Sequence, residues 1–189
     1  MGQHYARTMF SEAAKRLQTQ HGSRAQYERQ AERGEIDDAL SDFEVDFIVR
    51  RDSFYLATVT PDGWPYMQHR GGPEGFLRVL DRRTLAFADF AGNKQYISAG
   101  NLAGNDRVAL FLMDYPQQAR LKLIGHARIV TCDTELEERL RSPGYPARVE
   151  RAVVITLTAY DWNCSQHITR RWTGEEIKQA AAAPHAAAG

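Results

Sequence analysis

The chain has 189 residues, of which 43% are hydrophobic and 25% charged, with 24 basic and 24 acidic side chains. That length supports one domain with appendages and a sizeable core. A formal net charge of zero gives no global attraction to nucleic acid or to an anionic membrane, and no apolar run is long enough to span a bilayer.

The N-terminal stretch MGQHYARTMFSEAAKRL lacks the uninterrupted apolar region of a secretory signal, which predicts a cytoplasmic location. Residues 8–33 read as a helix, because Met9, Phe10, Ala13, Ala14 and Leu17 recur at three-to-four spacing, with Gly22 as an interruption. A second helix is expected over 42–51, with Phe43, Phe47 and Ile48 as its apolar face. The pattern then changes. SFYLATVT, residues 53–60, is aromatic and β-branched and reads as a strand. Pro61-Asp62-Gly63 makes a turn, and residues 64–70 return as a second strand that Gly71-Gly72-Pro73 ends or bulges. Strand alternation places Tyr66, Gln68 and Arg70 on one face and Met67 and His69 on the other.

Further strands are expected over 76–80, 84–88, 107–114, 120–130 and 153–160, and helices over 134–141 and 145–151. In the strand 120–130, Leu121, Leu123, Gly125, Ala127 and Ile129 form the expected core face, with Arg120, Lys122 and His126 opposite. GEEIKQAAAA is a last helix, and the tail PHAAAG reads as disordered. Roughly seven strands at short spacing, mostly joined by hairpins, argue for an antiparallel barrel rather than a doubly wound sheet. The predicted organisation is an N-terminal helical segment, 1–42, a mainly β domain with flanking helices, 43–172, and a C-terminal helix and tail, 173–189.

One stretch carries chemistry. TLAFADFAGNKQYISAGNLAG, residues 84–104, reads as a strand broken by residues 89–92, then a helix capped by Asn93 that runs from Lys94 towards Gly104. Unpaired N–H groups, the helix dipole and a lysine suit a phosphate there. The competing reading is an ordinary strand-to-helix crossover with a solvated lysine. Cys132 and Cys164 form no metal-ligand cluster and fit reduced thiols, with pairing left open. The six histidines are scattered, and no zinc-protease, Walker or dinucleotide-binding motif is present.

The order of four pieces resembles the pyridoxamine 5'-phosphate oxidase-like superfamily of flavin-binding split β-barrels. They are the hairpin YLATVTPDGWPY, the strand-loop FADFAGNK, the paired strands NDRVALFLMD and RLKLIGHARI, and the terminal AYDWNCSQH. The resemblance implies a homodimer with FMN at the interface, each site drawing on both chains. The family's loop triplet Ser-Arg-Lys is Gly92-Asn93-Lys94 here, so Asn93 and Lys94 are phosphate candidates, with Asp89 beside them. The family's second-strand arginine falls on Gln68; Arg70, two residues on, lies on the same face and either supplies the lost charge or is a surface residue. Gly71 and Gly72 would let the backbone approach the flavin ring or form a bulge. Arg120 falls where relatives have a glutamine near the ring; it either stabilises charge there or is an exposed strand arginine. Trp162, Asn163 and Gln166 match the family's tryptophan-containing stretch near the flavin, while His69 and His167 could line the pocket.

Where true pyridoxamine phosphate oxidases carry Arg-Leu-His-Asp-Arg, this chain has Ile168-Thr169-Arg170-Arg171-Trp172, and the second-strand lysine falls on Pro73. That argues against vitamin B6 oxidation. The resemblance instead implies an FMN-dependent oxidoreductase acting on another small organic molecule, with the substrate and electron donor open. The alternatives are a flavin-binding sensor or carrier without turnover, and a split barrel that uses haem or deazaflavin F420.

Overall fold

The computed structural model describes residues 3–33, 39–90, 94–147, 149–162 and 165–182. Its centre is one antiparallel sheet of β1 (Ser53–Val59), β2 (Pro65–Gly71), β3 (Arg78–Asp81), β4 (Thr84–Phe90), β5 (Arg107–Asp114), β6 (Ala119–Val130) and β7 (Val149–Trp162). The spatial order is β2-β1-β5-β6-β7-β4-β3, so the sheet curls without closing and has the form of a split barrel.

Alternation builds the core. Phe54, Leu56 and Thr58 of β1 are buried, while Tyr55 between them faces outward. Phe54 and Leu56 meet Leu110 and Leu112 of β5, Leu121 and Leu123 of β6, Leu85 and Phe87 of β4, and Ile155 of β7. The Phe54 ring stacks on Phe76 at 5.5 Å and meets Phe87 edge-on at 5.3 Å. The turn between β1 and β2 is set by its residues: Gly63 adopts φ +86° and its N–H donates to the Thr60 carbonyl at 2.9 Å. On β6 the register against β7 shifts between Ile124 and Gly125. A Cβ at Gly125 would collide with the Thr156 carbonyl oxygen, so the strands approach more closely than any other residue allows.

Helices cover both the ends and one face. In α4 (Asp42–Val49), Ser41 and Glu44 form a reciprocal cap, and Ile48 is fully buried. Arg51 beyond it pairs with Asp114 of β5 at 2.8 Å. The N-terminal segment is three helices, α1 (Gln3–Met9), α2 (Glu12–Gln20) and α3 (Arg24–Arg33). Gly22 does break it, at φ +74°. A second break at Phe10 and Ser11 was not expected; the Ser11 hydroxyl accepts from the Ala14 N–H at 3.2 Å and starts α2. Tyr5 and Ala6 of α1 are buried, and Tyr5 packs with Ile124 of β6 and Ala159 of β7.

Three other expectations are corrected. No helix occupies residues 145–147, and β7 begins at Val149, four residues ahead of the strand expected over 153–160. Asp89 belongs to β4 rather than to a loop that ends it. The helix after β4, α5 (Ile97–Gly104), starts later than Lys94, because Lys94 and Tyr96 take left-handed φ values of 59° and 53°. The remaining helices are α6 (Thr134–Leu140) and α7 (Gly174–Ala182). The tail, like Asn93, Asn163 and Cys164, lies outside the described residues. Cys132 is a free thiol. Among the described residues no helix is long and apolar enough to cross a membrane, and no group of acidic, histidine or cysteine side chains could hold a metal.

Candidate functional site

A pocket of about 290 Å³ opens where the curled sheet leaves its seam. β2 and β4 share no backbone ladder. Side chains bridge them instead: Arg70 Nη1 lies 2.6 Å from Asp89 Oδ1. Arg151 of β7, directly opposite Asp89 in the ladder, places Nε 2.7 Å from its Oδ2. One buried carboxylate thus holds two guanidiniums. Each arginine also lies on a ring, Arg70 over Phe87 at 5.5 Å and Arg151 over Tyr96 at 4.9 Å.

The donors left over point to an anion. Arg70 Nε is buried and has no hydrogen-bond partner. Lys94 lines the same pocket. α5 begins here with no side-chain cap, so its first N–H groups are available. Two polar contacts hold α5 in place. Ser98 Oγ donates to Gln68 Oε1 at 2.9 Å, and buried Asn101 donates to Thr58 Oγ1 at 2.9 Å. Arg70, Arg151 and Lys94 against Asp89 and Glu150 leave the lining with one net positive charge.

The opposite face of β1, β5 and β6 carries a larger groove of about 680 Å³. Tyr5 and Met9 of α1 wall one side, and residues 167–171 wall another. Gln118 pins that second wall: its Nε2 donates to the Ile168 carbonyl at 2.7 Å and its Oε1 accepts from Arg170 at 3.0 Å. Within the groove, Lys122 pairs with Asp161 at 2.8 Å and lies 4.8 Å from the Tyr5 ring. Burial pulls the Lys122 pKa down, but hydrogen bonds with Asp161 and Tyr5 outweigh it and the net shift is upward.

The sequence candidates therefore divide. Gln68, Arg70, Asp89 and Lys94 come together in the seam pocket. Arg120 and His167 line the opposite groove. His69 points to that side too, edge-on to Tyr55 at 5.7 Å. Gly71 ends β2, where a Cβ would come within 3.0 Å of the His69 ring, and the space beside Gly72 is filled by Phe76. Trp162 enters neither pocket: it packs between Phe43 at 5.1 Å and Phe47 at 4.8 Å. Its indole N–H donates to Glu44 at 2.7 Å. Burial would raise the Glu44 carboxyl, but bonds from Ser41 and Trp162 more than offset it and the net shift is downward. Gln166 sits in the exposed turn after β7. Asn93 and Asn163 lie outside the described residues.

Sequence reading passed over Arg151, Tyr96 and Ser98. Arg151 was hidden in a polar pair, Glu150-Arg151, ahead of an apolar run, and only the ladder register reveals its partner.

The family model for pyridoxamine 5'-phosphate oxidase matches residues 40–162. No curated protein matches the chain. Among solved structures, a proposed pyridoxamine 5'-phosphate oxidase from Lactobacillus delbrueckii is 23% identical, with a TM-score of 0.50 over 66% of this chain and 95% of that one. HupZ from Group A Streptococcus is 14% identical, with a TM-score of 0.50 over 70% of this chain and 100% of that one. These two likenesses concern the fold. With the family match spanning the whole sheet and both pockets' strands, the chain belongs to the pyridoxamine 5'-phosphate oxidase family.

Proposed function

We propose that the protein is an FMN-dependent oxidoreductase whose seam pocket holds the cofactor's phosphate. The observation that carries this reading is the buried, unpartnered Nε of Arg70, set beside Lys94 and the uncapped start of α5. A guanidinium has five N–H donors, so pairing with Asp89 leaves Arg70 and Arg151 able to bind a second anion alongside it. Lys94 adds a point charge, and Ser98 and Gln68 offer polar groups for the chain that links phosphate to ring. The pocket's volume, about 290 Å³, suits the polar end of FMN and leaves the flavin ring outside it.

Bound FMN would supply hydride and electron chemistry. The chain's own residues bind its phosphate, hold α5 against β1 through Asn101, and shape access to the ring. A homodimer fits the outer face of the β1–β2 hairpin, where Trp64 is 74% exposed and Met67 66% exposed. Vitamin B6 phosphate is not the substrate in this reading: Ile168 is buried where the family has its phosphate-gripping arginine, and Arg170 is engaged by Gln118.

The test is titration of the protein with FMN, read by quenching of flavin fluorescence. Loss of one charge-assisted phosphate contact, about 1.5–3 kcal/mol, weakens binding roughly ten- to a hundredfold in Arg70→Ala and in Lys94→Ala. Unchanged affinity in both would remove the assigned phosphate site. Failure of nicotinamide nucleotides and a broad donor panel to reduce the bound flavin would leave a flavin carrier in place of an oxidoreductase.

A further inference from the structure

The seam pocket carries an anion of its own. Asp89 is buried in β4 behind Leu85, Ala86, Phe87 and Ala88, and a carboxylate so placed is costly unless it is paired. Both its oxygens are engaged, Oδ1 by Arg70 Nη1 and Oδ2 by Arg151 Nε. The same two arginines line the pocket, and Arg70 keeps its buried Nε without a partner. A phosphate that reaches them therefore lies across the width of one guanidinium from the Asp89 carboxylate. Screening between the two anions is weak, because the Arg70 and Arg151 side chains are only 18% and 25% exposed. Glu150, the other acidic residue of the lining, is exposed and its charge is screened by solvent.

From this arrangement we infer that Asp89 is a specificity-determining residue, a built-in anion that turns bare phosphates away and reserves the pocket for a phosphate carried on a larger ligand. The inference rests on the reading of the seam pocket as the seat of the FMN phosphate. Arg70, Arg151 and Lys94 face Asp89 and Glu150; with asparagine at position 89, three basic residues face one acidic residue. A phosphate monoester carries about −1.5 to −2 charges near neutral pH, and pyrophosphate carries more. The native lining leaves such anions incompletely neutralised, the more so the higher their charge. FMN makes up the difference through its ribityl chain and ring, which an inorganic anion lacks. Discrimination of this kind comes from a repulsive element rather than from an added attraction. The empty pocket still needs the carboxylate, because without it two partly buried guanidiniums face each other. One charge thus has two effects of opposite sign: it stabilises the empty fold and weakens the binding of anions.

The experiment titrates the full chain and its Asp89→Asn variant with pyrophosphate, FMN and riboflavin in a calorimeter at constant ionic strength. The expected result is that Asp89→Asn binds pyrophosphate about tenfold more tightly than the parent. FMN gains by a smaller factor, and riboflavin, which has no phosphate, is unchanged. The urea midpoint falls in the same variant, whereas a merely structural carboxylate would move stability and affinity down together. Adding Arg70→Ala to Asp89→Asn removes the gain, which locates it in the seam. Should Asp89→Asn fail to fold, Glu150→Gln, at an exposed position, shows the same gain in weaker form. Pyrophosphate affinity that is unchanged or lower in Asp89→Asn overturns the proposal, as does an unchanged affinity in Glu150→Gln where only that variant folds. A gain shared equally by riboflavin, or one that survives Arg70→Ala, overturns it too. The flavin reading fails separately: a parent chain that binds no FMN ends that reading, and the pyrophosphate comparison still decides whether Asp89 opposes anions.

Discussion

Arg70 reaches Asp89 across a gap that no backbone hydrogen bond crosses, 2.6 Å between Nη1 and Oδ1. The sheet's open side is therefore fastened by side-chain charge, and Asp89 is the shared counter-ion for Arg70 and Arg151. Asp89→Asn removes that charge and leaves two partly buried guanidiniums facing each other. The expected cost is about 3 kcal/mol, the lower end for a broken buried pair because both arginines keep some contact with water. A shift in the urea midpoint checks it; a variant as stable as the parent would show that the seam is held by packing alone.

Glu44 links the cap of α4 to the indole of Trp162. Its folded-state pKa lies below the ordinary 4.5, so its contribution is complete above that pH and is lost as pH falls through the lower folded value. Glu44→Gln removes this acid sensitivity and costs about 1–2 kcal/mol at neutral pH through the weakened cap. Urea midpoints from pH 7 down to pH 3 should converge for the two proteins at the acid end. Parallel curves would contradict the assignment.

Gly125→Ala drives a Cβ into the Thr156 carbonyl oxygen, and backbone on both strands must move to make room. Overpacking of this kind costs about 1–3 kcal/mol. Thermal unfolding should fall by several degrees, since each kcal/mol corresponds to roughly 2–4 °C in a chain of this size. An unchanged melting temperature would mean that the register shift at Ile124 is adjustable.

Burial, helped by Glu137 and Asp133, pushes the Cys132 thiol above its ordinary value. In a Cys164→Ser background, iodoacetamide should modify Cys132 more slowly than a free cysteine peptide at neutral pH. The rate should still be climbing beyond pH 9. A plateau below pH 8 would point to an activated thiolate instead.

The hairpin of β1 and β2 was legible because each of its parts speaks locally: alternating aromatic residues, a proline, a glycine at positive φ. The seam pocket was legible only in pieces. Gln68 and Arg70 share a face by simple alternation, and both line the pocket. Arg151 could not be found that way, because its function depends on which residue of another strand stands opposite it. The start of α5 was misjudged for a related reason. A capping residue and a lysine suggest a helix, yet Lys94 and Tyr96 adopt left-handed backbone that tertiary contacts, such as Arg151 on Tyr96, hold in place. Trp162 is placed by packing rather than by its motif. The motif match names it as a cofactor candidate, and the ladder and α4 set its ring against Phe47.

The docking of α1 has a consequence for biosynthesis. Tyr5 is translated before its seat, which is made by Ile124 and Ala159 on strands far downstream. At ~5–20 residues per second, that seat emerges from the ribosome on the order of ten seconds or more after Tyr5 does. Until then the apolar side of α1 has no destination. α1 is made before the strands that seat it, and the nascent chain must carry it exposed while the sheet assembles behind it.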